Sequence, residues 1–325
     1  MKKSIKKMIV MLLVVCSLLV TVVGCGATNA EKKYENMTIR IAISSSYGTA
    51  TSNIMREYGL LEQCLPQGVT VEWVTMTSAS DMRDAVVSGD LDVVCTSLPT
   101  FIMGYENGLP LELISFAGGV PIGLYTNDES ITNLNKFSND DRICAKSKGN
   151  NGHIAFLIAC KEELGDAMAL DSQIVTMGES DALGILQSSD EYQASIFSFP
   201  MTVKAEKAGL YEVVNYNQII TDYGIGSTYF TRQQFYNDNP EIIAAIREAQ
   251  NMALDLIKND PAGVAQKLSP VFDLDEEYIL SAFEVMPPRK EYLGYDKLAS
   301  MLCEINLLEK EPTLFKDLPN YEDIK

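Results

Sequence analysis

Apolar and polar residues alternate in short runs, and most runs are followed by a stretch with helical periodicity. Thr38 to Ile43 places Ile39, Ile41 and Ile43 at every second position, which predicts a strand with one buried face. A polar loop, Ser44 to Thr49, leads into a predicted helix over 51–58 that Gly59 stops. The pattern then predicts a strand at 70–76, a helix at 79–87 ended near Gly89 and a buried strand at 91–95. Pro99 follows, and its fixed φ suits a first helical turn; a further strand falls at 111–117.

A second cycle begins after Thr126. Strands are predicted at 142–145, 173–177, 194–197 and 212–214. Helices are predicted at 153–164, closed by Gly165, at 181–187, and from Ser198-Phe199-Pro200 to Gly209. This alternation predicts parallel sheets with helices on both faces. Two cycles of like order and size predict two lobes. Beyond the return segment 219–230, Asn239 is expected to cap a helix with Pro240 in its first turn. Ile242, Ile246, Ala249, Ala253 and Leu256 give that helix one apolar face. Helices at about 261–268, 275–283 and 295–307 complete the pattern, and Trp73, within a strand, is expected in the core.

The N-terminus carries Lys2, Lys3, Lys6 and Lys7, then an apolar run from Met8 to Val23. That run is shorter than the ~20 residues a membrane-spanning helix needs, but it suits the hydrophobic part of a signal peptide. Val22-Val23-Gly24-Cys25 resembles a bacterial lipobox, which implies cleavage before Cys25 and attachment of acyl chains to its thiol. Residues 1–24 are thus expected to be a lipoprotein signal peptide and 25–36 a polar tether. The mature chain would sit on the outer face of the cytoplasmic membrane.

Removing residues 1–24 takes away four of the 26 basic residues and none of the 44 acids, so the net charge of −18 becomes more negative still. Such a surface repels nucleic acid, although a cleft keeps its own local field. Of the seven cysteines, Cys95 and Cys144 lie in apolar runs and read as small buried hydrophobes; the irregular spacing implies no disulfide framework. His153 is the one histidine, so no His-based metal site is expected, and no cofactor motif is present.

Candidate chemistry falls in the loops after the predicted strands, where open α/β sheets bind ligands. These are Ser44 to Thr49, Thr77 to Ser80, Thr96 to Thr100, Lys148 to His153 and Ser198 to Pro200. Hydroxyls, amides and unpaired N–H groups there form a cradle for an oxyanion or a polar ring. Ser, Thr and Asn also cap helices and form turns, so each loop alone is weak. Tyr47, Phe101, Phe199 and Tyr223 stand beside these loops and are candidates to stack on a planar ligand; Lys146 and Lys148 are candidate charges.

Three segments carry a family resemblance: Asp81 to Pro99 with its Ser88-Gly89-Asp90-Leu91-Asp92 turn, Lys148 to Gly165 with His153, and Phe197 to Gly209. Together with Asn239-Pro240, they make residues 37–310 resemble type 2 periplasmic solute-binding proteins of ABC importers. The branch concerned takes sulfonates, nitrate, taurine and thiamine-precursor pyrimidines. The resemblance implies an α/β fold of two doubly wound, Rossmann-like lobes joined by hinge strands. Lobe 1 would comprise 37–120 and 223–325, and lobe 2 residues 121–222, with Gly118-Gly119 and Gly224/Gly226 near the crossings.

It further implies a monomeric receptor that traps a small anionic or heteroaromatic solute and passes it to an ABC permease, without catalysis. Expected ligand contacts are Ser45, Ser46, Tyr47, Ser78, Ser97 and Thr100 from the first lobe, and Asn150, Asn151, His153 and Ser198 from the second. Asn150 and Asn151 depart from the branch's usual Ser/Thr, and no clear Arg for a sulfonate is present. Alternatives are an enzyme on the same fold, akin to the pyrimidine-precursor synthases, and a surface sensor without transport.

Overall fold

The computed structural model describes residues 33–290 and 295–310. The signal segment 1–24 and Cys25 lie outside the described residues. The first strand, β1 (Met37–Ile43), is buried on both faces, with Ile39, Ile41 and Ile43 on one and Ala42 on the other. It is followed by α1 (Ala50–Tyr58) and α2 (Leu60–Cys64). Gly59, in the left-handed region at φ 61°, separates these two helices. Then come β2 (Val69–Thr75), α3 (Ala79–Ser88), β3 (Val93–Ser97), α4 (Leu98–Glu106) and β4 (Leu111–Gly118). Trp73, expected in the core, is half-buried on the edge strand β2.

The second half starts with β5 (Ile122–Thr126), a strand the apolar pattern had not set apart from the crossing segment. It continues with β6 (Ile143–Ala145), α5 (Asn151–Leu164), β7 (Ile174–Thr176), α6 (Glu179–Ser188) and β8 (Ala194–Ser198). A cis Phe199-Pro200 bond precedes α7 (Met201–Lys207), and β9 (Tyr211–Asn215) and α8 (Asn217–Asp222) follow. The chain returns through β10 (Ser227–Arg232) and α9 (Gln233–Asp238). Four more helices end it: α10 (Pro240–Asn259), α11 (Pro261–Phe272), α12 (Glu276–Val285) and α13 (Tyr295–Glu304).

Two five-stranded sheets result, in the orders β2-β1-β3-β10-β4 and β7-β6-β8-β5-β9. The expectation of parallel sheets is corrected here, because each sheet is mixed. In the first, β10 runs antiparallel between β3 and β4; in the second, β5 runs antiparallel between β8 and β9. The cause is connectivity. Each odd strand enters directly from the other half of the chain, so it needs no crossover helix to bring it back in parallel. Asn239 stands at the N-cap position of α10 with Pro240 in the first turn, as expected, but its side chain donates to the Phe235 carbonyl at 3.0 Å and makes no capping bond. Tyr34, in the supposed tether, is buried and donates its hydroxyl to Glu241 of α10, so the ordered body begins before β1.

The two crossings touch. Gly118, at φ 93°, pairs with Ser227, and Gly226 lies so close that a Cβ there would sit 2.4 Å from the Gly118 carbonyl oxygen. Farther out, lysines of the second half meet acids of the first: Lys204 with Asp273 at 2.8 Å, Lys207 with Asp275 at 3.1 Å, and Lys161 with Glu304. Among the described residues, no helix is long and apolar enough to cross a membrane.

Gly226→Ala is expected to lower stability by about 1–3 kcal/mol, because backbone is the obstacle. Gly184→Ala, in α6 with nothing within 4 Å of the added methyl, should instead stabilise by about 0.5–1 kcal/mol. Urea denaturation of both variants checks the contrast.

Candidate functional site

The carboxyl ends of β1, β3, β6 and β8 point at one another across the junction of the two halves. A cavity of about 80 Å³ lies between them. Ser44, Ser46 and Thr49 line it from the first loop, and Thr96 and Ser97 from the end of β3. Lys146, Ser147, Asn150 and Asn151 line it from beyond β6, and Glu179, Ser198, Thr77 and Ser227 add to the polar wall. Val120, Ile122, Ile196 and Met82 supply apolar wall.

Local structure explains why these side chains converge. Ser97 ends β3 and caps α4, its Oγ accepting from the Thr100 N–H at 3.4 Å. Asn150 caps α5 by accepting from the His153 N–H at 2.9 Å, which places Asn151 and Gly152 in the first turn, where N–H groups lack helical partners. Across the junction, the Ser97 hydroxyl donates to Asn151 Oδ1 at 3.1 Å, and the Thr100 hydroxyl donates to the Gly149 carbonyl at 3.3 Å. These two bonds tie the halves together directly beside the cavity.

The residues expected from the sequence separate into two groups. Ser46, Ser97, Asn150, Asn151 and Ser198 line the cavity. Ser45 is exposed outside the lining, Ser78 caps α3 through the Asp81 N–H, and Thr100 is buried against Gly149. Tyr47 turns away: its hydroxyl donates to the carbonyls of Ala282 and Met286, and its ring packs edge-on against Phe199 with centroids 5.4 Å apart. Phe101 is buried in the core and the Tyr223 hydroxyl donates to Glu162. Among the described residues, none of the expected stacking aromatics stands on the cavity wall. Cys95 does line it, but burial pushes its thiol up to about 12, so no thiolate faces a ligand at neutral pH.

His153 sits behind the loop. Its Nδ1 accepts from the Gly149 N–H at 3.0 Å, which places the ring proton on Nε2, facing Asp171 Oδ1 at 2.7 Å. Lys148 caps the same carboxylate at 2.6 Å. Lys148, a candidate cleft charge, is thus committed to Asp171 and is absent from the cavity lining.

Glu179 escaped the sequence reading. It stands in the first turn of α6, after the strand end whose loop offers an acid in place of hydroxyls and amides. Its Oε1 accepts from both the backbone N–H and the hydroxyl of Ser198, each at 2.7 Å. Its Oε2 lies 3.9 Å from Lys146 Nζ. The signal that could have found it is positional: a carboxylate at the end of β7, one strand from β8 across β6.

The two sheets, each with an antiparallel strand received from the other half, and the cavity between strand ends define the fold of periplasmic binding proteins. Solved structures agree. The alkanesulfonate-binding protein SsuA from Xanthomonas axonopodis pv. citri, bound to MOPS, is similar with a TM-score of 0.72 and 16% identity, over 86% of this chain and 96% of that one. The periplasmic aliphatic sulphonate-binding protein SsuA from Escherichia coli gives 0.68 and 17%, over 89% and 98%. The periplasmic nitrate-binding protein NrtA from Synechocystis PCC 6803 gives 0.61 and 15%, over 76% and 70%. No family model matches the sequence, and no curated protein does.

Burial lowers the His153 pKa, and Lys148 lowers it further, against the opposing pull of Asp171. For Asp171, burial acts upward, but the bonds to Lys148 and His153 outweigh it and the net shift is downward. For both groups the unfolded chain holds its proton more tightly. Stability contributed by the pair is therefore lost as pH falls, beginning near the ordinary histidine value of about 6.5. A second proton on the imidazole would also face the Gly149 N–H. His153→Gln is expected to flatten this acid-side loss between about pH 6.5 and 5, checked by denaturant titration across that range.

Proposed function

We propose that this chain is an extracytoplasmic solute-binding lipoprotein of an ABC importer. Residues 1–24 act as its signal, Cys25 carries the lipid and residues after it form the tether. Lobe 1 comprises 37–120 and 223–325, and lobe 2 residues 121–222. The two close on a small solute and present it, unreacted, to a membrane permease; the receptor acts as a monomer. One observation carries this reading: a small polar cavity, with walls drawn from both halves, lies where the halves already hydrogen-bond through Ser97 and Asn151. The solved proteins of this fold named above bind alkanesulfonates and nitrate, which supports solute capture as the role.

In this reading Ser46, Ser97, Asn150, Asn151 and Ser198 contact the solute, joined by Lys146 and Glu179. Closure follows from differential affinity, because the ligand touches both lobes only when they are shut. Among the described residues the cavity presents no activated nucleophile: the Cys95 thiol is held protonated and His153 is turned to Asp171. That favours binding over turnover.

Ser97→Leu/Asn151→Leu is expected to abolish ligand-induced thermal stabilisation while the apo protein keeps its fold. The parent should gain about 2.7 kcal/mol at a hundredfold excess of ligand over Kd. A binding response that survives the double change, followed by differential scanning fluorimetry, would remove these residues from the site. In cells, Cys25→Ser should release the protein from the membrane fraction and end its labelling by palmitate; continued labelling would contradict the lipid anchor.

A further inference from the structure

Among the described residues, the cavity wall carries one carboxylate, Glu179, and one ammonium, Lys146, and their arrangement restricts the solute. Glu179 Oε1 is occupied by two Ser198 donors, whereas the charged group described beside Oε2 is the Lys146 ammonium, 3.9 Å away and beyond hydrogen-bonding range. Both side chains are largely shielded from solvent, 13% exposed for Glu179 and 25% for Lys146. Glu179 lines the cavity, and among the described residues no donor lies within hydrogen-bonding distance of its Oε2. The next loop of the same half has the reverse chemistry: the first turn of α5 brings N–H groups without helical partners, and Asn151 is buried, bonded to Ser97.

A simple oxyanion is poorly served by this arrangement. In so small a space it lies near the Glu179 carboxylate as well as Lys146, and it brings no donor to Oε2. A planar heteroaromatic is poorly served too, because the apolar wall is aliphatic and offers no ring to stack on.

We infer that the solute is a small, non-aromatic, amphoteric molecule, with an amine or other N–H cation set on Glu179 Oε2 and an acceptor group set between Lys146 and the start of α5. This rests on the receptor reading above and narrows it. The cation supplies the missing donors to Oε2 at hydrogen-bonding distance, while Lys146 is left free to meet the acceptor end. Glu179 then determines specificity by charge, and it couples the solute to Ser198 and so to the second sheet.

The test uses the purified mature protein and three panels of small probes in isothermal titration. The panels are short ω-amino acids from glycine to 5-aminopentanoate, the matched amine-free acids from acetate to pentanoate, and uncharged pyrimidines. Amino members are expected to bind, and Glu179→Gln, which keeps an acceptor for Ser198, should weaken them by about 10–100-fold. Lys146→Met should weaken the same members while leaving apo stability unchanged, and it serves if Glu179→Gln does not fold. Binding confined to amine-free acids or to pyrimidines, or indifference of amino members to Glu179→Gln, would overturn the amphoteric solute and leave the receptor reading intact. No binding in any panel would count against both.

Discussion

The two halves of this protein hold their relation because their chain crossings pack backbone to backbone. Gly226 lies against Gly118 with no room for even one methyl group between them. That contact brings β10 beside β4 on one side and lets β5 leave for the second sheet on the other. It also fixes how the strand ends of the two sheets face one another. A side chain at this point would wedge the crossings apart and strain the Ser97–Asn151 bond that spans the junction. The site is therefore an outcome of the crossing geometry as much as of its own residues.

Strand and helix alternation was legible because it is local. Ile39, Ile41 and Ile43 announce β1 by their spacing, and Gly59, Gly89 and Gly165 end helices in the left-handed conformation that glycine adopts freely. The strands β5 and β10 were not legible as antiparallel members of two different sheets. Nothing in Ile122 to Thr126 states that its neighbours are β8 and β9, because pairing partners are set by tertiary contact. Trp73 was misjudged for a related reason: a large apolar residue on a strand says little about whether that strand stands at a sheet's edge.

The same limit applies to the cavity. Ser97, Asn150 and Asn151 were readable because a polar residue between a strand and a helix is held near the strand end by both. Tyr47 and His153 occupy such loops as well, yet a side chain's direction is decided by what it packs against. Tyr47 finds carbonyls of Ala282 and Met286, more than two hundred residues away in sequence, and His153 finds Asp171. Glu179 was invisible because an acid in a helix's first turn is ordinary among 44 acids. Only its bonds to Ser198 distinguish it.

Because β10 lies between β3 and β4, the first sheet cannot finish when its own N-terminal strands leave the ribosome. β4 ends at Gly118, and the strand that joins it to β3 begins at Ser227. Throughout synthesis of the intervening segment, β3 and β4 must wait with a gap between them. The second sheet has no such delay, since β5 to β9 follow one another along the chain. The half encoded in the middle can thus complete itself from one continuous segment, while the half encoded first closes last.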